Sequence, residues 1–367
     1  MTIPANTAAQ APATTDRSRI TPLADCDVHT PVPTLEALGP WLSPMWREYL
    51  RENKFAGSGS VARSYPPNTA ASGGPDAILT VGPDSSEARR RVQEHLDRTG
   101  CRYAILNTFF GLESIKHPDL ATHLASAVNE WLRAEWLDHD ERFRASVIVN
   151  PNDAAAAAAE IDRVTDERFV QILVPARAEQ PYGHRRFFPL HDAAARTGRP
   201  LAIHFGGMPG TPPTPSGWTS YYLEDYVGMA VVFQSHVTSL IAEGVFSRNP
   251  SLNVVLSEAG FSWVPSMLWR LDKEWKGLRR EIPWVVEPPS AYFREHVFAT
   301  LQPIDVPSDP EILEELFTHI GSDRYLLFAT DFPHRHLTDA AAFLDLLPAT
   351  LQQAVGVDNA RGLYGFA

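Results

Sequence analysis

Four short apolar runs in this chain stop on a histidine or a carboxylate: Leu23 to His29 closes on Asp27-Val28-His29, Pro200 to His204 on the histidine, Leu252 to Glu258 on the glutamate, and Tyr325 to Asp331 on the aspartate. Imidazole and carboxylate together suit Zn²⁺, and also Mn²⁺, Fe²⁺ or Ni²⁺. Residues two apart in a strand share a face, so Asp27 and His29 can converge on one ion. With three or four protein ligands a position stays open, at which bound water is acidified or a substrate carbonyl is polarised. Asp331 is placed to act as ligand, proton acceptor or both. A single strand-end histidine is more often a hydrogen-bonded rim residue than a ligand, and it is the recurrence on separate strands that carries the metal reading.

Other side chains near these ends have plainer readings. Asp25 lies deeper in its run than Asp27 and reads as a structural hydrogen bonder. His236 sits among Phe233, Val237 and Leu240 and reads as core packing. His334 and His336 flank Arg335 just beyond Asp331. Loop solvation or a hydrogen bond to a neighbouring strand end explains both histidines, and a supporting or proton-donating role for His334 stands beside it. Arg177 and Arg335 are candidates to pair with a substrate carboxylate, because guanidinium matches it bidentately; surface solvation is the rival reading, and the stronger one for Arg177. No nucleophile elbow, phosphate-binding loop, dinucleotide fingerprint or Cys-x-x-Cys pair occurs.

Side chains from four strands meet only if the strands lie side by side with the same ends on one rim. Eight strand-length apolar runs are present: Leu23 to His29, Tyr103 to Asn107, Ser146 to Asn150, Val170 to Val174, Leu201 to Phe205, Val254 to Glu258, Val297 to Leu301 and Tyr325 to Asp331. Helical patterns at 120–139, 152–165, 188–197, 221–243, 264–279, 309–319 and 337–346 separate them. This alternation predicts an α/β fold, a distorted (β/α)8 TIM barrel, with a doubly wound open sheet as the alternative. The rhythm breaks after the first strand. Residues 31–98, rich in Pro, Gly and Ser clusters (Ser58-Gly59-Ser60, Ser64 to Pro67, Ser72 to Pro75), read as an insertion over the barrel mouth, with short helices around 35–51 and 86–97. Gly206 to Gly217 reads as a second irregular segment that shapes the pocket. Residues 1–18 read as a disordered tail and 19–367 as one barrel domain.

The totals narrow the function classes. A net charge of −12 argues against a nucleic-acid or anionic-membrane surface. No apolar run of about 18 residues exists, and the N-terminal residues lack the pattern of a secretory signal. Two cysteines, Cys26 and Cys101, each in or beside an apolar run, suit packing in a reducing cytoplasm.

At these residues the chain resembles the amidohydrolase-related family, the branch that holds aminocarboxymuconate-semialdehyde decarboxylase and the benzoate-type non-oxidative decarboxylases. Asp25-Cys26-Asp27-Val28-His29, Pro200 to His204, Gly244-Val245-Phe246 through Glu258-Ala259-Gly260 to Trp263-Val264-Pro265, Ala329 to His334 and Asn359 to Tyr364 carry the likeness in order. The resemblance implies a distorted barrel with one divalent metal, most often zinc or manganese, with iron as a further option, and commonly a homodimer. The second histidine of the family's His-x-His falls on His29 and the first on Asp27. The fifth-strand histidine ligand falls on His204 and the eighth-strand aspartate on Asp331. Glu258 stands where the decarboxylases carry a catalytic histidine. These implied roles make Asp27, His29, His204 and Asp331 the metal ligands, and Asp331, Glu258 and His334 the catalytic groups. The carboxylate at position 27 favours Mn²⁺ or another oxygen-tolerant ion over zinc. The expected activity is metal-dependent decarboxylation of a small organic acid. The alternatives are hydrolysis of a C–N, ester or C–C bond, and a non-catalytic barrel whose metal site is lost.

Overall fold

The computed structural model of the chain describes residues 22–57, 77–207, 217 and 219–366. The expected tail at 1–18, the Ser, Pro and Gly clusters between 58 and 76, and residues 208–216 of the second irregular segment lie outside the described residues. Eight parallel strands follow one another around a sheet: β1 Leu23–His29, β2 Cys101–Asn107, β3 Phe143–Ile148, β4 Phe169–Arg177, β5 Leu201–Gly207, β6 Val254–Ser257, β7 Val297–Thr300 and β8 Leu326–Leu327. They read as continuous apolar runs because helices cover one face and the barrel interior the other. All nine residues of β4, for example, are buried.

The last strand returns to the first, which decides between barrel and open sheet. Cys26 N–H donates to Phe328 O (2.8 Å), Asp331 N–H to Asp27 O (3.1 Å) and His29 N–H to Phe332 O (2.7 Å). Regular pairing of β8 is confined to Leu326–Leu327, shorter than the expected 325–331, because the chain must turn at Asp331. That residue adopts a left-handed backbone (φ 58°), and its side chain leaves the ladder direction.

Local chemistry sets the helix limits. The Asp153 carboxylate accepts the Ala155 and Ala156 N–H groups and starts the helix Ala154–Arg163, whose alanines are the strongest helix formers. Asp339 caps Ala340–Leu344 in the same way, so this helix begins three residues later than the pattern at 337–346 predicts. The helix Phe188–Thr197 ends on Gly198 in the left-handed conformation (φ 69°). The described part of 31–98 holds the helices Leu35–Leu38, Pro44–Glu52 and Ser86–Thr99 and a small parallel pair, Val32–Pro33 with Thr80–Val81. No helix among the described residues is long and apolar enough to cross a membrane. Cys26 and Cys101 are buried, unbridged thiols whose pKa burial raises.

His236, on the helix Tyr222–Ala242, shows how a buried polar group is accommodated. Its Nε2–H donates to Ala176 O (2.6 Å) and its Nδ1 accepts the Tyr182 N–H (3.1 Å). An imidazolium would set a second N–H against that donor. Burial accordingly pushes the pKa down to about 4. The folded value lies below the unfolded one, so the folded state binds fewer protons: the stabilisation is complete above about pH 6.5 and is lost as pH falls towards 4. We expect the stability gap between the wild type and His236→Gln to narrow by about 2 kcal/mol between pH 7.5 and pH 5 in denaturant melts. A gap that stays constant with pH would show that this ring is not held neutral.

Candidate metal centre

The strand ends deliver their polar side chains to one place. Asp27, His204, Glu258 and Asp331 are buried, and His29 and His334 are half-buried. His29 Nε2 lies 2.9 Å from Asp331 Oδ1, 3.1 Å from Glu258 Oε1 and 3.6 Å from Asp27 Oδ1. His204 Nε2 lies 3.2 Å from Asp27 Oδ1 and 3.5 Å from Glu258 Oε1. Two overlapping sets of four donor atoms result: Asp27, His29, His204 and Glu258, and His29, Glu258, Asp331 and His334.

Two features show that the cluster fits a cation. Asp27 Oδ2 is buried and takes no hydrogen bond from the described residues, an arrangement that costs stability unless something positive faces it. In the neutral ring, His204 Nδ1–H donates to Phe205 O (2.9 Å), which leaves Nε2 with a lone pair aimed at two carboxylate oxygens. Lone pair against lone pair is repulsive; a proton or a metal ion between them is attractive.

The electrostatics agree. Burial works against charge on His29, yet the Asp331 and Glu258 carboxylates hold its pKa well above the ordinary histidine value. Burial likewise opposes His204, and Asp27 and Glu258 raise it. Glu258 is raised by its own burial and by the charge of Asp331. Burial would raise Asp331 too, but His334, His29 and His336 hold it well below the usual carboxylate range. The site thus gathers positive charge wherever it can, and a divalent ion would displace protons from the imidazoles.

Asp27 is oriented by a buried relay that no single stretch of sequence reveals. Tyr364 Oη–H donates to Gln171 Oε1 (2.7 Å), Gln171 Nε2–H to Ser146 Oγ (2.9 Å), Ser146 Oγ–H to Asn107 Oδ1, and Asn107 Nδ2–H to Asp27 Oδ1 (2.7 Å). Each link lies on a different strand from the next or on the C-terminal helix Asn359–Tyr364, and every donor points towards Asp27. Beneath it, Asp25 accepts from Thr330 N–H (3.0 Å) and Thr330 Oγ1–H (2.6 Å), with His95 Nε2 at 3.3 Å, so this carboxylate ties β1 to the last strand.

The remaining expected residues divide. His334 Nδ1 meets Asp331 Oδ1 at 2.8 Å, and His336 places Nε2 at 2.6 Å from Asp331 Oδ2, a hydrogen bond to the strand end in place of loop solvation. Arg335 between them is exposed. Arg177 is buried instead of solvated: its guanidinium pairs with Asp225 and lies 5.6 Å from the centre of the Phe205 ring. Sequence reading passed over an aromatic wall. Phe109 lies 5.8 Å from His29 and 4.5 Å from His204, ring centre to ring centre. Tyr226 packs on Phe205 at 5.2 Å and on Tyr222 at 5.7 Å. Burial, together with the charge of Glu258, pushes the Tyr222 phenol up to about 12. The four-residue spacing of these tyrosines was a legible signal for one helix face.

Comparison with known proteins bears on this geometry. The family model described as amidohydrolase matches residues 26–366. The gamma-resorcylate decarboxylase of Rhodococcus jostii (strain RHA1) is 26% identical over 283 residues, 69% of this chain and 80% of that protein. Among solved structures, an amidohydrolase from Mycobacterium avium subsp. paratuberculosis K-10 superposes with a TM-score of 0.71 at 22% identity, covering 94% of this chain and 98% of that one. The 5-carboxyvanillate decarboxylase of Novosphingobium aromaticivorans DSM 12444, solved with manganese and 4-hydroxy-3-methoxy-5-nitrobenzoic acid, gives 0.69 at 19% identity, covering 94% and 96%. The two structural likenesses establish the fold.

The relay to Asp27 is testable apart from turnover. Asn107→Leu removes its last donor. We expect the variant to lose bound Mn²⁺ to a competing chelator about 10- to 100-fold more readily than the wild type. Unaltered retention would mean that the relay does not set the Asp27 carboxylate.

Proposed function

The chain belongs to the amidohydrolase family, and from that premise we propose that it is a metal-dependent, non-oxidative decarboxylase of a hydroxylated aromatic acid. The observation that carries this reading is the joint placement of a cation-seeking donor cluster and an aromatic wall on one barrel rim. The gamma-resorcylate decarboxylase activity of the Rhodococcus relative, and the manganese and nitrobenzoic acid in the Novosphingobium structure, support the same class. We assign Asp27, His29 and His204 to the ion, with a further carboxylate from Asp331 or Glu258, and prefer Mn²⁺ because carboxylate donors suit it. A homodimer in a reducing cytoplasm belongs to this reading; the unbridged thiols fit such a compartment.

When bound, the ion would supply a positive centre that offsets negative charge on the substrate's carboxylate and neighbouring hydroxyl oxygen. Phe109, Tyr222 and Tyr226 stack against the ring and keep water from it. Decarboxylation breaks the bond between ring carbon and carboxyl carbon, leaves the electron pair on the ring carbon and forms a C–H bond there as CO₂ departs. The proton comes from the pair His334 Nδ1 and Asp331 Oδ1, which share it across 2.8 Å, while His336 holds the other oxygen of Asp331 in place. Arg335 is exposed next to this pair and is free to meet a second anionic group on a substrate. Arg177 acts from behind Phe205, paired to Asp225, and shapes the wall.

We expect the manganese-reconstituted protein to release CO₂ from gamma-resorcylate, 5-carboxyvanillate or a related hydroxybenzoate, measured by trapping CO₂ and following ring absorbance. Asp331→Asn should lower turnover by about 10²- to 10⁴-fold with an unchanged melting transition. Release of an amine or alcohol without CO₂ across a matched panel of amides and esters would replace this reading with hydrolysis.

A further inference from the structure

Among the described residues, the two sets of four donor atoms have His29 and Glu258 in common. In both sets it is His29 Nε2 that faces the partners: Asp27 and Glu258 in one, Glu258 and Asp331 in the other. One nitrogen lone pair binds one ion, so the sets are alternatives for a single ion, not a pair of sites. Either alternative includes Glu258. Neither contains the combination Asp27, His29, His204 and Asp331 that the family resemblance implies.

We propose that Glu258 is a direct protein ligand of the ion, in the set Asp27, His29, His204 and Glu258; this rests on the metal-dependent reading above. Three observations favour that set. The four measured imidazole-to-carboxylate edges run from 3.1 to 3.6 Å, and donors about 2.0–2.2 Å from one ion stand roughly 3.0–3.5 Å apart. The set contains Asp27 Oδ2, which takes no hydrogen bond from the described residues, and His204 Nε2, whose lone pair in the neutral ring faces carboxylate oxygens. Asp331, by contrast, already has a histidine on each oxygen, His334 on Oδ1 and His336 on Oδ2. Glu258 reaches the cluster through a left-handed backbone (φ 58°), pinned by its N–H to Thr300 Oγ1 (2.9 Å) just beyond β6. Two carboxylate ligands offset the charge of a divalent ion and bias the site towards harder ions such as Mn²⁺. Asp331 then stands beside the ion as a proton-handling group.

The test is ion affinity, read without turnover. Wild type, Glu258→Gln, Glu258→Asp and Asp331→Asn are stripped, reconstituted with Mn²⁺ and titrated with a chelator; elemental mass spectrometry gives the stoichiometry. Parallel Co²⁺ loading reads ligand geometry from visible absorption, and melting in excess chelator checks the fold of each variant. We expect Glu258→Gln to weaken retention by about 100-fold or more and to change the Co²⁺ spectrum, Glu258→Asp to recover part of the loss, and Asp331→Asn to shift retention by less than about tenfold. Glu258→Gln with wild-type retention and spectrum, beside an Asp331→Asn that loses the ion, would overturn the proposal and leave the metal-dependent reading standing. Wild-type protein that takes up no ion would overturn that reading and this assignment together.

Discussion

The crowding of three carboxylates around one imidazole is the constraint from which the rest of the structure follows. Asp331, Glu258 and Asp27 all have an oxygen within 3.6 Å of His29 Nε2, and all three are buried. Each desolvated carboxylate costs several kcal/mol that only a nearby positive charge can offset. Raised histidines, a raised glutamate and a depressed aspartate are one phenomenon seen from different groups: the cluster takes up positive charge from whatever source is at hand. Such a cluster needs a scaffold that fixes every member before any ion arrives.

Barrel closure is that scaffold. Two of the carboxylates sit on residues with left-handed backbones, Glu258 and Asp331, a conformation that costs roughly 1–2 kcal/mol for a residue with a side chain. Both are held by hydrogen bonds that exist only when neighbouring strands are in register: Asp331 N–H to Asp27 O across the seam, and Glu258 N–H to Thr300 Oγ1 across to the end of β7. Asp25 and Thr330 brace the seam one step below. The strain at these two residues lies on the rim, within the donor cluster, and the cohesion that supports it lies in the apolar barrel beneath.

This division explains what the sequence makes legible. The ends of β1, β5 and β6 and the segment after β8 can be read directly, because a strand buried on both faces is a mostly apolar run and a carboxylate or imidazole where it stops marks the rim. Asp27, His29, His204, Glu258 and Asp331 were found by that signal. Asn107 carried it as well, at the end of β2, but an asparagine there looks like any strand terminus until the relay Tyr364, Gln171, Ser146, Asn107 is assembled from four separate stretches. His336 depends on the turn that brings its ring back to Asp331 five residues earlier, His95 on where the helix Ser86–Thr99 meets the seam, and the buried pairing of Arg177 on where the helix Tyr222–Ala242 lies. Left-handed turns at Glu258 and Asp331 leave no trace in composition. Periodicity locates the rim; contacts between distant segments decide which rim residues face one another.

The identity of residue 258 links the charge arrangement to the chemistry. An imidazole at the end of β6 would add a neutral donor and leave Asp27 and Asp331 as the carboxylates available to a divalent ion. With glutamate there, the count becomes three carboxylates, one more than a dication offsets. The surplus falls on Asp331, whose two oxygens meet His334 and His336 from the loop that follows. Under the proposed ligation, ion and imidazoles would divide the negative charge between them, Asp27 and Glu258 to the ion and Asp331 to His334 and His336. Such a division would leave Asp331 free to pass a proton, because a carboxylate held by hydrogen bonds exchanges protons with its partners, whereas one bound to a metal holds its lone pair on the ion. Glu258 and the His334–His336 pair are in this sense one adaptation, and neither has a complete physical rationale without the other.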